Sequence, residues 1–172
     1  MKEKIGPSLL LAALLQSGAM QLPAAEYDVK KDGTGDFTAI QDAIDASRHG
    51  DVIVVHPGQF YENIRFNGKN IILRSTDPPD RDIVKVTIID GDGVTSVITL
   101  DGTESSESAI SGVTIMNGDA DFGGGIRGNG AETTISHCSI EANHAISGGA
   151  VMDCDGRIAS CTVELNSAIN GA

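Results

Sequence analysis

From residue 51 onward the apolar positions fall in short clusters cut by turn residues. Val52-Ile53-Val54-Val55 runs into Pro57-Gly58, and Asn70-Ile71-Ile72-Leu73 into Ser75-Thr76-Asp77-Pro78-Pro79. Val86-Thr87-Ile88-Ile89 ends at Asp90-Gly91-Asp92-Gly93, and Val97-Ile98-Thr99-Leu100 at Asp101-Gly102. Runs of this length bounded by Gly, Pro and Asp read as strands. Their density leaves no room for the helix that a doubly wound α/β fold places between strands. One earlier segment has the other period. Ile40, Ala43, Ile44 and Ser47 share a helical face. Thr38, with Gln41 three residues on, forms a capping box, and Gly50 supplies a stop. The spacing predicts a helix over about 39–48, with one apolar stripe suited to plug the open end of a sheet core.

The second half of the chain repeats. Ile110-Ser111-Gly112-Val113-Thr114-Ile115 aligns with Ile135-Ser136-His137-Cys138-Ser139-Ile140 and with Ile158-Ala159-Ser160-Cys161-Thr162-Val163. Gly123-Gly124-Gly125-Ile126 aligns with Gly148-Gly149-Ala150-Val151, and Gly171-Ala172 opens a third copy. The copies start 25 and then 23 residues apart. A unit this short cannot bury its own apolar face, so successive units must stack. Strand periodicity then puts Val113, Cys138 and Cys161 in one inward row and Ile115, Ile140 and Val163 in the next. Thr114, Ser139 and Thr162 are expected to point outward. Asn143 and Asn166 are placed to form an amide ladder at a turn. A leucine-rich repeat has a similar period, but leucine is nearly absent after Leu100. The predicted fold is all-β: a right-handed parallel β-helix with a short N-terminal capping helix. About five coils fit between Val52 and Ala172, and the chain is expected to be C-terminally truncated, since it stops within a repeat. Residues 26–108 are read as cap and first coils, and 109–172 as regular repeats.

Composition supports a stacked β architecture: 21 glycines, no tryptophan and 3% aromatic residues. The first 24 residues read as a signal peptide, with Lys2 and Lys4 before the apolar run Leu9 to Leu15, and then small residues. Cleavage after Ala19, Ala24 or Ala25 is equally compatible; a buried helix or a membrane anchor is the competing interpretation. The net charge of -12 becomes -13 once Lys2, Glu3 and Lys4 leave with the leader. Such a chain repels phosphate backbones, so nucleic acid is not an expected partner. No later stretch is apolar enough for a transmembrane segment. The protein is expected to be secreted or on the cell surface, in a bacterial setting.

Two stretches resemble known families. Asp32-Gly33-Thr34-Gly35-Asp36-Phe37, the Ile40-Gln41-Asp42-Ala43-Ile44 helix, Gly50 to Val55 and Gly58-Gln59-Phe60-Tyr61-Glu62 resemble the start of pectinesterases and other pectin-lyase-like proteins. In that superfamily these residues build the cap and first coil. Ile140 to Asn143 with Gly148-Gly149-Ala150-Val151 is similar to the repeat of polymorphic outer-membrane proteins. The pattern fails at Gly118, which stands where the repeat has asparagine.

Neither resemblance implies a catalytic set. Asp121-Phe122-Gly123 resembles part of an esterase Asp-Phe-x-x-Gly segment, but the repeat alignment places Asp121 over Ile146. A lyase would need clustered carboxylates for Ca²⁺ and an arginine base. Asp119 and Asp121 with Arg127, and Asp153 and Asp155 with Arg157, are the available groups. Stacking puts Asp119 over His144, so the two acidic groups are not expected to converge; as solvated turn residues they need no ligand. Cys138 and Cys161 are close enough in register for a disulfide, while stacked apolar thiols are the simpler expectation. Cys154 stands apart. His49, His56, His137 and His144 show no metal-ligand spacing. The catalytic residues stay unknown, with no cofactor or metal site expected and Ca²⁺ tied to the lyase alternative alone. The expected function is a β-helix module that binds an acidic or other polysaccharide, or another partner, or acts as a scaffold. The alternative is the N-terminal part of a polysaccharide lyase or esterase.

Overall fold

The computed structural model describes residues 23–170 and is a parallel β-helix of six turns. Coil one holds β1 (Glu26–Val29) and helix α1 (Ile40–Ala46). Coil two holds β2 (Val52–Val55), β3 (Gly58–Tyr61) and β4 (Ile64–Arg65). Coil three holds β5 (Ile72–Ser75), helix α2 (Arg81–Val86), β6 (Thr87–Asp90) and β7 (Ile98–Thr99). Coil four holds β8 (Ala109–Ser111), β9 (Thr114–Met116), β10 (Asp119–Phe122) and β11 (Ile126–Ala131). Coil five holds β12 (Thr134–Ser136), β13 (Ser139–Glu141), β14 (His144–Ser147) and β15 (Val151–Cys154). Coil six holds β16 (Ile158–Ala159), β17 (Thr162–Glu164) and β18 (Ser167–Asn170). Five turns follow Val52, as the repeat spacing predicts, and β1 adds a sixth before them. The predicted leader, apart from Pro23 and Ala24, lies outside the described residues, as do Gly171 and Ala172. Among the described residues no helix is long and apolar enough to cross a membrane.

Every strand pair is parallel and each strand lies on its equivalent in the next coil. Three apolar columns result. Ile53, Leu73, Ile110, Ile135 and Ile158 form the first. Phe60, Ile89, Ile115, Ile140 and Val163 form the second. Ile64, Ile98, Ile126 and Val151 form the third. Their inner members are fully buried, each contributing about 1.5–3 kcal/mol by transfer from water. Coil six has a neighbour on one side only among the described residues, so Val163 at the end of its column is 54% exposed.

The corners of the coils are made by left-handed backbone. Gly112, His137 and Ser160 stand at aligned positions before β9, β13 and β17, with φ of 71°, 56° and 57°. Asn117, Ala142 and Leu165 follow the same strands with φ of 56°, 54° and 56°. Each strand of this face is thus bracketed by two residues in a conformation that costs non-glycine residues about 1–2 kcal/mol. The cost is met by the stacking that a sharp corner permits.

The asparagine ladder forms as the repeat predicts. Asn143, buried, accepts from Gly118 N at 2.8 Å through Oδ1. Its Nδ2 donates to Ile115 O and to Asn166 Oδ1, both at 3.0 Å. Asn166 Nδ2 donates in turn to Ile140 O at 2.7 Å. The pattern stops at Gly118 for a steric reason: a Cβ there would lie 1.8 Å from Gly124 O.

The cap departs from the predicted chemistry. Helix α1 spans Ile40–Ala46, shorter than 39–48, and its N-cap is Ala39 with no side-chain bond. Thr38 and Gln41 do not form a capping box. The orphan amides of Ile40 and Gln41 donate instead to the two oxygens of Glu62, each at 2.9 Å. Gln41 turns to the sheet edge and accepts from Arg65 N at 2.8 Å. Gly50 lies past the end; Ser47 Oγ and Lys69 Nζ take the last carbonyls, at Ile44 and Asp45. Ile40, Ala43 and Ile44 close the core, as the apolar stripe predicts.

Asn143→Ala would strand two buried backbone partners, Gly118 N and Ile115 O. It is expected to lower unfolding free energy by about 2–4 kcal/mol, measured by urea titration. A loss below about 0.5 kcal/mol, within the range of an ordinary surface substitution, would show that the ladder does not hold the coils.

Candidate functional site

The repeat is broken most sharply between β5 and β6. Residues 76–86 leave the coil as an arm, and the arm folds back over the face formed by β9, β13 and β17. Pro78 and Pro79 stiffen its first half. Asp80 caps α2, accepting from Asp82 N at 2.9 Å. Val84 is the helix's buried residue, and its carbonyl accepts from Thr114 Oγ1 at 2.9 Å. Thr114 was expected to point to solvent; it does leave the core, but the arm covers it, leaving it 3% exposed. Val86, predicted to start a strand, ends this helix instead. A helix of six residues carries too little periodicity to read through. Its signals were local: a proline before Asp80, an acid in the first turn and Lys85 in the last.

Close approach of the arm depends on Gly112. Its φ is 71°, and a Cβ built on it would lie 2.3 Å from Pro78 Cα. No side chain fits between the arm and coil four.

Beyond Gly112 the arm lifts from the sheet and leaves a cleft of about 490 Å³. Arg81 and Lys85 stand on the arm side, with Glu141 and Glu164 across from them. Ser139, Ser160 and Thr162 supply hydroxyls along the floor, with His137 at the corner. Arg81 Nη1 bridges the cleft to Thr162 Oγ1 at 3.3 Å, tying coil three to coil six. Lys85 pairs weakly with Asp82 at 3.5 Å, both exposed. Cys138 and Cys161 also line the cleft, and both are free thiols. The neighbouring Cys138 thiol lowers Cys161 to about 7. Cys138 is held well above the usual thiol value, first by Cys161 and then by burial. Burial also raises Cys154, which lies on another face.

The other chemically interesting residues do not gather here. Asp119 pairs with His144 in register, as predicted, and with Asp121 they line an open depression of about 450 Å³ beside Val94 and Thr95. Both aspartates belong to strand β10, not to a turn; β10, β14 and β18 form a fourth sheet found only in the last three coils. Asp153 belongs to β15, with a φ of 54°, and Asp155 follows it; both are exposed. Arg127 stacks over the Phe122 ring, 5.6 Å from its centroid, and donates to Asn129 Oδ1 at 2.9 Å. Asp153 shares a small cleft with Arg127, away from Asp119 and Asp121. Arg157 is exposed ahead of β16. Asp119 and Asp121 line one depression and Asp153 another, so these carboxylates do not converge on one point as a Ca²⁺ site requires. Among the described residues no group of three or more His, Cys, Asp or Glu is arranged to hold an ion. His56 Nε2 pairs with Asp28 Oδ1 at 2.7 Å and lowers the Asp28 pKa. His49 accepts from Asn70 N, and His144 bonds Ser167.

No family model matches the sequence, and no curated protein is significantly similar to it.

Gly112→Ala is expected to cost about 2–4 kcal/mol, from left-handed strain plus collision with Pro78. Gly93→Ala is the control: φ is 66° with open space around it, so strain of about 1–2 kcal/mol acts alone. Equal losses for the two variants, in urea unfolding, would mean that the arm does not press on coil four.

Proposed function

We propose that this chain is a secreted or cell-surface β-helix module that binds a polysaccharide strand in the cleft beneath α2. The observation that carries this reading is the lining of that cleft. A sugar chain presents many hydroxyls that both donate and accept, with carboxylates where residues are uronic acids. Arg81 and Lys85 offer donors to hydroxyl or carboxylate oxygens. Glu141 and Glu164 offer acceptors, and Ser139, Ser160 and Thr162 serve either role. Arg81 is suited to carboxylate recognition through its planar fork. The cleft runs across β13 and β17, so successive coils present the same residue types at the strand spacing of roughly 4.8 Å. That spacing is close to the repeat of an extended sugar chain.

The leader-like start of the sequence supports export, and the acidic charge suits a soluble extracellular protein. The pectin-lyase-like resemblance of residues 32–62 is compatible with the same ligand class. Glu62, its most distinctive residue, has a structural task here as the cap of α1. The resemblance therefore supports the fold reading without adding a catalytic residue.

The test is a binding titration of the purified chain against polygalacturonate and a neutral glucan, followed by amide chemical shifts. Shifts are expected at Arg81, Ser139 and Thr162. Arg81→Ala is expected to weaken binding about tenfold, as loss of a charge-assisted hydrogen bond. Binding unchanged by Arg81→Ala and Lys85→Ala would place the ligand elsewhere. Accumulation of unsaturated uronate product would instead make the protein a lyase.

A further inference from the structure

Cys138 and Cys161 occupy the same corner of adjacent coils. Ser139 pairs with Thr162 in register, and Thr162 N donates to Cys138 O at 2.9 Å, so the two cysteines are stacked neighbours. Strands in register lie roughly 4.8 Å apart, inside the Cα range of about 4.4–6.8 Å that a disulfide spans. Both side chains point to the same side of the coil, Cys138 buried in the core and Cys161 packed half-buried against it. Both residues border the α2 cleft, and Cys161, the less buried of the two, is the one a small reagent meets first. The aligned residue in coil four is Val113, so the core accepts an apolar group of this size and does not itself require sulfur.

We propose that Cys138 and Cys161 are an oxidisable pair that forms a cross-coil disulfide by exchange with a low-molecular-weight disulfide, fastening coil six to coil five. The Cys161 thiolate attacks one sulfur of the reagent, forming a mixed disulfide and expelling one thiolate, which takes a proton from solvent. Cys138 then gives up its proton to solvent as its sulfur attacks that of Cys161, expelling the second thiolate. Two cysteines are oxidised by two electrons and the reagent disulfide is reduced to two thiols. Cys161 is the attacking group because its lowered pKa gives it a thiolate near neutral pH, while Cys138 stays protonated until the mixed disulfide forms. The product links β17 to β13 covalently, beside the hydrogen bonds that already pair them.

The test exposes the folded, fully reduced chain to oxidised glutathione, quenches with acid, alkylates and maps the peptides by mass spectrometry. The expected product has lost two hydrogens, carries a link between the Cys138 and Cys161 peptides, and keeps Cys154 alkylated. Cys138→Val is expected to trap glutathione on Cys161. Cys161→Ala is expected to leave Cys138 unmodified in the folded state. In the reduced chain, alkylation of Cys161 is expected to rise with a midpoint near 7. Arg81, Lys85, His137, Glu141 and Glu164 face the same cleft; His137→Asn keeps the left-handed corner and separates imidazole titration from that of the thiol. Three alkylatable thiols after prolonged exposure, a stable glutathione adduct on the unaltered chain, or a link through Cys154 would each overturn the proposal. It does not depend on polysaccharide binding, so failure of either leaves the other standing.

Discussion

Each coil in this molecule finds its hydrogen-bond partners and its apolar neighbours in the coil before and the coil after. That constraint of in-register parallel stacking governs the rest. A repeat unit buries almost nothing alone, so the columns through Ile110 and Ile135, and through Ile115 and Ile140, exist only because equivalent residues coincide. The corners must therefore recur at equal angles. Left-handed backbone at His137 and Ser160, and at Ala142 and Leu165, is tolerated because a different corner would break the register of every later strand. Polar side chains follow the same rule. Asn143 and Asn166 meet because their positions coincide, and each satisfies groups in the neighbouring coil.

Stacking also dictates where novelty can enter. An insertion inside a strand would shift register, so extra residues leave the coil at corners. Leu73 pairs with Ile110, 37 residues later, against 25 between Ile110 and Ile135. The excess is taken up by the α2 arm and by the loop after β7. The loop is fastened by buried Glu104, which accepts from Gly68, Asp101 and Gly102. The arm is fastened by Val84 and Thr114, and its far side makes the cleft. The regular coils supply a rigid floor and the irregular arm supplies the charged wall. Sites commonly arise in this way, on loops held by a scaffold.

What could be read in the sequence was what repeats. The period gave the architecture, the inward columns and the asparagine ladder, because each is a statement about equivalent positions. Contacts between inequivalent positions were not legible. Glu62 was visible as part of a motif, but nothing local says that it caps a helix 22 residues earlier. Thr38 and Gln41 satisfied a local rule that a better-placed carboxylate overrode. Thr114 looked outward by strand alternation, correctly so far as the core is concerned; its cover is an arm inserted 30 residues earlier. Nothing local marks Arg81, whose partner, Thr162, is 81 residues away. Asp119 and Asp121 look like turn residues because Gly118 and Gly123 flank them, and the alternation of Asp119-Ala120-Asp121-Phe122 is only four residues long, too short to announce a strand.

Native-state amide hydrogen exchange tests the stacking account most directly. Stability should grade along the axis, since each coil is held by its neighbours. The account predicts the slowest exchange at Leu73, Ile110 and Ile135 and at Ile89 and Ile115, which have a stacked coil on both sides. Rapid exchange throughout coils four and five, with protection confined to the region around α1, would contradict it.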